Sequence, residues 1–187
     1  MDHSFAIVGL SGRFPGANNI SSFWQNLSKG VESISTLENQ PNLVPHRGLV
    51  DNIDLFDASF FDISPGEAAL IDPQQRLFLE CSYEALESAG YNPFDFEGKI
   101  GVYGGSGDNS YLINNLLQNH QLSQDKQDYL IAIGNRPDFI TTRVSYKLNL
   151  KGPSLAVQTA CSTSLVAVCL ACNDLILNNM EKLLRKE

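Results

Sequence analysis

Basic residues are scarce in this sequence, and their scarcity argues against one class of partner. There are 13 Lys and Arg against 21 Asp and Glu, which gives a formal net charge of -8. A protein that binds nucleic acid needs a basic patch to neutralise phosphates, and no such patch is evident. We therefore expect no nucleic-acid partner, and we interpret the acidity as a contribution to solubility.

Long apolar runs and a basic leader are also missing. No segment approaches the roughly 18 apolar residues that cross a bilayer, so we expect no membrane contact. The first four residues lack the basic start of a secretion signal. Cysteine is too rare and too unevenly spaced for a disulfide framework, and this favours a reduced, cytoplasmic protein. The four cysteines are Cys81, Cys161, Cys169 and Cys172.

Apolar residues are nevertheless plentiful, at 43% of the 187 residues, which fits one globular domain or a piece of a larger one. Three short apolar runs predict buried strands at residues 5–10, 100–104 and 155–159. Helical patterns separate them, and alternating strands and helices predict an α/β fold with helix-covered sheets. The helices are predicted at about 72–89, 110–133 in two pieces, 137–146 and 162–177.

Two helices carry local start and stop signals. Asp72 is a good N-cap, Pro73 suits the first turn, and Gln75 stands where a capping box has Glu or Gln. A shorter helix is predicted to begin at Ser21 or Ser22 and to end at Gly30, with Phe23, Trp24 and Leu27 on its inner side.

Cys161 stands between the third predicted strand and the last helix. The start of a helix carries partial positive charge and unpaired N–H groups, which favour a nucleophilic thiolate. Small neighbours, Ala160, Ser162 and Ser164, leave room around the sulfur, and the N–H of Cys161 could bind an oxyanion. An inert core cysteine is the alternative interpretation, so the residues alone leave catalysis as a hypothesis.

Two other motifs are interpreted as structural. The spacing of Cys169 and Cys172 resembles redox and zinc sites, but within a helix it predicts two small core residues. The run 104–107 is glycine-rich without the spacing of a phosphate loop, and it predicts a tight turn after a strand. The basic residues Arg136, Arg143, Lys147 and Lys151 are interpreted as a solvated face, with an acidic partner as the alternative.

The segment 159–168, Thr-Ala-Cys-Ser-Thr-Ser-Leu-Val-Ala-Val, resembles the active-site segment of β-ketoacyl synthases, in particular the ketosynthase domains of modular polyketide synthases. Further blocks in the same order extend the resemblance over about residues 4–178. These blocks are residues 6–9 with 12–16, 56–65 with 72–76, and 142–146 with 152–154.

The resemblance implies the first half of a thiolase-like layered α/β/α/β/α fold, with Cys161 at the start of a central buried helix. It implies that Cys161 accepts an acyl group from the phosphopantetheine thiol of an acyl carrier protein, ahead of decarboxylative condensation with a malonyl-type extender. It also implies a homodimer, with the strand near residues 154–159 close to its partner, and no directly bound cofactor or metal.

The chain departs from the family pattern after about Leu177. The two histidine segments that serve decarboxylation in the family are absent, since His3, His46 and His120 stand in other contexts. We therefore expect residues 1–178 to be the N-terminal part of the domain and 179–187 a charged tail outside the family. Two hypotheses follow: a fragment that at most accepts an acyl group, or a non-enzymatic half that binds a complementing chain. A cysteine protease using His120 is a distant third.

Overall fold

The computed structural model describes residues 4–37, 44–118 and 125–177. Strands are interspersed among helices along this part of the chain, as the α/β prediction requires. The helices are α1 Ile20–Lys29, α2 Pro65–Ala68, α3 Pro73–Ser88, α4 Asp125–Asn135, α5 Phe139–Lys147 and α6 Thr163–Ile176. The strands are β1 Ser35–Thr36, β2 His46–Arg47, β3 Val102–Gly104 and β4 Ser154–Ala156.

Strands β3 and β4 form a parallel pair, with Tyr103 opposite Leu155. Parallel neighbours need a long crossover, and the chain supplies one that contains α4 and α5. The α/β architecture is therefore confirmed. Strands β1 and β2 form a separate antiparallel pair.

The core lies where α3 and α5 pack against β3. Leu79 of α3, Val144 of α5 and Leu148 directly after α5 are fully buried, and Val102 of β3 belongs to the same cluster. Burying such a side chain stabilises the fold by about 1.5–3 kcal/mol. This cluster holds β3, and with it the start of the functional site, at a fixed distance from the two helices.

The start of α3 confirms one predicted signal and corrects another. The Asp72 carboxylate accepts a hydrogen bond from the Gln74 N–H at 2.8 Å, so Asp72 is the N-cap. Gln75 does not close a capping box. Its side chain donates to the Arg136 carbonyl and accepts from Arg143, partners that are distant in sequence and that no local pattern reveals.

Residues 5–10 do not form the predicted strand. They are irregular and largely exposed, and the Ile7 side chain is 80% accessible. A strand needs a neighbour for its backbone N–H and C=O groups. Within the described residues, no strand pairs with this segment. Residues 5–10 have the apolar pattern of a strand, but the described residues do not supply the neighbouring strand that this segment would need.

Helix α1 ends at Gly30 as predicted, with Gly30 in the left-handed region at φ +62°. Its N-cap is Asn19, which accepts from the Ser22 N–H at 2.8 Å, so the expectation of a serine cap is wrong. Trp24 and Leu27 are exposed rather than internal, and Trp24 is 69% accessible. Phe23 alone finds an aromatic partner, since its ring stacks on Phe14.

Helix α6 corrects the expectation of a buried central helix. Ala167 is its one buried residue, and Leu165 is 66% accessible. The helix is apolar on several sides. Within the described chain, only β3 and the turn Ala160–Ser162 pack closely against α6. The predicted boundary at residue 178 and the tail 179–187 lie outside the described residues and stay predictions.

The segment 110–133 holds a π-helical turn at Leu112–Leu116 before α4, so helical structure in two pieces is confirmed. None of the helices described for this chain is long and apolar enough to cross a membrane.

Candidate active site

Cys161 lies where the chain turns from β4 into α6. β4 ends at Ala156, a single 3-10 turn spans Ala160–Ser162, and α6 begins at Thr163. The predicted strand-to-helix corner is confirmed, and Cys161 is exposed rather than sealed in the interior. The first N–H groups of a helix lack intrahelical partners and carry partial positive charge. This corner is therefore a place where negative charge on a side chain or a substrate is stabilised.

The backbone immediately before Cys161 adopts an uncommon conformation. Ala160 has φ +53°, in the left-handed region that residues other than glycine rarely enter. The Thr163 hydroxyl accepts from the Thr159 N–H at 3.0 Å and donates to the Ala160 carbonyl at 2.9 Å. The Ser162 hydroxyl donates to the Thr159 carbonyl at 2.8 Å. These hydrogen bonds hold a strained turn of the kind that collects at functional sites.

Cys161 lines a cavity of about 1250 Å³. Phe78 of α3 and Val168 of α6 are among its apolar lining residues, and Asn109 and Gln158 are among its polar ones. Small-molecule sites combine apolar walls with a few polar groups in this way. The cavity is large enough to admit a substrate chain beside the thiol.

Residues 104–109, which we call the cavity loop, also line this space. An added Cβ on Gly105 would overlap the Val157 carbonyl and the Thr163 methyl group, so glycine permits the loop to approach the turn that holds Cys161. The sequence interpretation of 104–107 as a turn missed this role. The available signal was a glycine run directly after a buried strand.

A polar contact joins helix α6 to the sheet. The Tyr103 hydroxyl of β3 donates to the Asp174 carboxylate of α6. Burial, followed by the neighbouring carboxylate, raises the pKa of Tyr103, so the phenol stays protonated and keeps its donor. Tyr103 also lines the cavity, and its hydrogen bond fixes the distance between β3 and the helix that follows Cys161.

Cys81 offers a contrast with Cys161. It is half-buried on α3, and burial raises the pKa of its thiol, which disfavours the nucleophilic form. Beside it, the Arg13 guanidinium binds the Glu84 carboxylate through two nitrogens. Those hydrogen bonds lower the pKa of Glu84 and raise that of Arg13. The cluster attaches the loop near residue 13 to α3.

Cys169 and Cys172 do not behave as the predicted pair of core residues. Cys169 is exposed and Cys172 is half-buried, because the outer face of α6 is uncovered. All four cysteines are unpaired. Across residues 4–37, 44–118 and 125–177, no group of three or more His, Cys, Asp and Glu side chains is arranged to hold a metal ion.

The four basic residues do not share one solvated face. Arg143 is largely buried, where it donates to the Gln75 side chain and to the Ile133 carbonyl. Arg136 pairs with Asp138 at 2.7 Å. The remaining two, Lys147 and Lys151, donate to the Asp62 carbonyl and the Asn149 side chain.

No described histidine accompanies the thiol. His46 lies on β2, 3.3 Å from the Thr36 hydroxyl, and is not among the residues that line the Cys161 cavity. His3 and His120 lie outside the described residues. The cysteine-protease hypothesis therefore gains no support from the described chain.

The chain has a parallel strand pair with covering helices and a cysteine at the turn from strand to helix. These features place it in the class of thiolase-like folds, as the N-terminal part of one. The model of the family "Beta-ketoacyl synthase, N-terminal domain" matches residues 2–184. The chain therefore belongs to the β-ketoacyl synthase family, as its sequence motifs indicate.

Similar proteins are polyketide synthases. A phenolphthiocerol/phthiocerol polyketide synthase of Mycobacterium tuberculosis is 46% identical over 195 residues, which cover 94% of this chain and 13% of that protein. A non-reducing polyketide synthase of Aspergillus terreus is 40% identical over 190 residues, or 91% of this chain and 8% of its own length. The chain thus spans a small part of each curated relative.

A solved structure of ketosynthase twelve from the bacillaene polyketide synthase of Bacillus amyloliquefaciens superimposes with a TM-score of 0.85 at 38% identity. The match covers 95% of this chain and 31% of that one. The module 6 ketosynthase of the Bacillus subtilis bacillaene synthase gives a TM-score of 0.79 at 39% identity. The chain therefore corresponds to less than a third of each of these two ketosynthases.

Proposed function

We propose that this chain is the nucleophile-bearing part of a polyketide ketosynthase and that Cys161 accepts an acyl group from an acyl carrier protein. One observation carries the proposal. An exposed cysteine stands at the turn into α6 and lines a cavity large enough for a substrate chain. Family membership supplies the class of reaction.

The chemical step is a thioester exchange. The Cys161 sulfur attacks the carbonyl carbon of an acyl group held on a phosphopantetheine thiol, and a new C–S bond forms. The old C–S bond then breaks, the carrier thiol leaves, and the proton released by Cys161 passes to it. A covalent acyl-enzyme of this kind divides one difficult reaction into two easier ones. No directly bound cofactor or metal is needed for this exchange.

The turn can also stabilise the oxyanion of the exchange. The N–H of Cys161 belongs to the first turn of helical chain, where N–H groups lack intrahelical acceptors. One hydrogen-bond donor to the oxyanion is worth about 10²–10³ in rate in an acyl-transfer enzyme. The strained Ala160 and the threonine hydrogen bonds hold this donor in place.

The proposal is tested by weighing the intact protein after incubation with an acyl-carrier thioester. We expect a mass increase of one acyl group on the wild-type chain, none on Cys161→Ala, and an unchanged increase on Cys169→Ala. Cys169 is the matched control, because it is an exposed cysteine in the middle of α6, the helix that begins two residues after Cys161. Acylation that persists in Cys161→Ala would refute the assignment.

Condensation is a separate expectation. The family uses two histidine segments for decarboxylation that residues 1–187 do not contain, so we propose that this chain alone forms no β-keto product. Incubation with a malonyl-carrier thioester, followed by analysis of the released acyl chains, tests this point, and detection of a β-ketoacyl product would disprove it.

A homodimer is also part of the proposal. Strand β4 pairs with β3 on one edge, and among the described strands none covers its other edge. Leu155 on this strand is exposed. An uncovered edge strand is a template for pairing with a second chain. Leu155→Lys should weaken a dimer measured by analytical ultracentrifugation, whereas an unchanged mass distribution would place the contact elsewhere.

A second candidate function is a half-domain that binds a complementing chain. It is favoured by apolar surface that the described chain leaves uncovered on α6 and along residues 5–10. Contiguous patches of this kind mark interaction sites or aggregation risks. Mixing the chain with the C-terminal part of a matching ketosynthase should give one co-eluting species, which Leu165→Asp should weaken. A monomer that melts cooperatively and does not bind the C-terminal part would count against the half-domain hypothesis.

A further inference from the structure

Half of the cavity loop has no side chain with which to fill the space around Cys161. Three of its six residues are glycines, Gly104, Gly105 and Gly107, and all six line the cavity. At glycine positions the backbone itself forms the wall, so the position of that backbone decides the width of the space. The residues that hold the loop in place therefore affect the width of the cavity.

Gln74 of α3 binds the cavity loop at Gly107 and Asp108. Its side-chain oxygen accepts from the Gly107 N–H at 2.7 Å, and its side-chain nitrogen donates to the Asp108 carbonyl at 3.4 Å. The same nitrogen donates to Asp72, the N-cap of α3, at 3.2 Å. A carboxamide can accept and donate at once, so one side chain joins two loop residues to the start of α3. Gln74 itself is not among the residues that line the cavity.

Asn109 holds the far end of the loop. Its side-chain nitrogen donates to the Asn135 carbonyl at 2.8 Å and to the Asn135 side-chain oxygen at 3.0 Å. Its oxygen accepts from the Leu112 N–H at 2.8 Å. Asn135, at the end of α4, is 5% accessible and donates in turn to the Leu70 carbonyl at 2.7 Å. The loop is thus anchored to buried backbone as well as to α3.

We infer that Gln74 and Asn109 are positioning residues that set the width of the cavity at Cys161, and with it the bulk of the acyl group that the thiol can take. The inference rests on the proposed function for its substrate class, which is acyl thioesters. Its geometry stands on hydrogen bonds that α3 and α4 make to the loop. The turn that holds Cys161 forms the opposite side of the cavity and is fixed by its own hydrogen bonds. Movement of the cavity loop therefore changes the distance between the loop and this turn.

The test compares two alkylating agents of the same chemistry on the full chain: iodoacetamide and the bulkier N-benzyl iodoacetamide. Fragment-ion mass spectrometry assigns the label to Cys161 rather than to Cys169 or Cys172. We expect Gln74→Ala to raise the ratio of bulky to small labelling rates about fivefold, the factor that one net hydrogen bond is worth. Asn109→Ala should raise the ratio in the same direction.

Gln25→Ala is the matched control, because Gln25 is an exposed glutamine of α1 that does not line the cavity. Its ratio should equal that of wild type. Ratios in both test variants that stay within about twofold of wild type, less than one net hydrogen bond is worth, would overturn the inference. Equal changes in the labelling rates of the two reagents would also overturn it, because they would report a change in the reactivity of the thiol rather than in the width of the cavity.

Hydrogen exchange of the wild-type protein gives a second measurement that needs no variant. The Gly107 amide should exchange more slowly than the Ser106 amide, because it donates to Gln74. Exchange of Gly107 at the rate of an unprotected amide would refute the anchoring. Neither measurement uses an acyl carrier, so failure of acyl transfer and failure of this inference are told apart.

Discussion

Helices α3 and α6 both carry apolar side chains at helical spacing, but only α3 has them covered. Leu79 of α3 is 0% accessible, enclosed by α5 and β3, whereas Leu165 of α6 is mostly exposed. Residues 5–10 are apolar and largely exposed, as α6 is. An apolar pattern thus indicates which side chains avoid water, but not whether the described chain supplies what covers them. The predictions below test this difference, from the largest effect to the smallest.

Leu79→Ala should cause the largest loss of stability, about 2–5 kcal/mol, because it removes buried methyl groups and leaves a cavity. Leu165→Ala is its counterpart on the uncovered helix, and it should change the free energy of unfolding by no more than about 0.5 kcal/mol. Urea denaturation of the three proteins measures both. Similar losses in the two variants would mean that α6 is covered in solution, by a second copy or by residues beyond those described.

Gly105→Ala should cost less, about 1–3 kcal/mol, because the added methyl group overlaps the Val157 carbonyl and the Thr163 side chain. This contact joins the covered region to the start of α6. The variant should also change the rate at which Cys161 is alkylated, since Thr163 closes the turn around it. Gly66→Ala is the control: nothing lies within 4 Å of its added carbon. An equal effect of the two substitutions would contradict the close approach of the cavity loop.

Glu84→Gln should have a smaller effect that depends on pH. The Arg13 hydrogen bonds hold the pKa of Glu84 below its unfolded value, so the pair stabilises the fold above that value and loses its contribution as pH falls through the folded pKa. Glu84 is partly exposed, so we expect no more than about 1 kcal/mol at pH 7. The stability difference between wild type and variant should shrink towards pH 3. A difference that is constant with pH would refute the pairing.

Trp24→Ala should have the smallest effect, within about 0.5 kcal/mol, because the side chain is exposed on α1. Trp24 is the one tryptophan of the sequence, so its fluorescence reports on this face alone. The wild-type emission should match that of a solvated indole and be quenched readily by iodide. A blue-shifted, protected emission would show that another chain or segment covers α1.

Local signals in the sequence predicted several elements correctly. Asp72 and Pro73 mark the start of α3, Gly30 ends α1, and the apolar run before Gly104 becomes β3. The turn at Cys161 was also predictable, since an apolar run, small residues and a helical pattern follow one another there. These features depend on neighbours within a few residues, where backbone conformation and capping decide the outcome.

Other features depend on residues far apart in the chain and were not predictable. Gln75 has a capping-box position but binds Arg136 and Arg143 instead. Gln74 and Asn109 hold the cavity loop through partners more than 20 residues away, and no periodic pattern records such pairs. The strand expected at residues 5–10 failed for a related reason: its apolar spacing is sound, but strand formation requires a neighbour.

The sequence by itself determined the family, the α/β class and the position of Cys161 between strand and helix, because these follow from local order along the chain. Only the tertiary structure decided how the thiol is surrounded. The cavity, its glycine wall and the anchoring glutamine arise when α3, α4, β3 and α6 meet, since hydrogen bonds across long loops depend on where the helices pack. The exposure of α6 was likewise a matter of packing, because burial is a property of what lies next to a side chain rather than of the side chain itself.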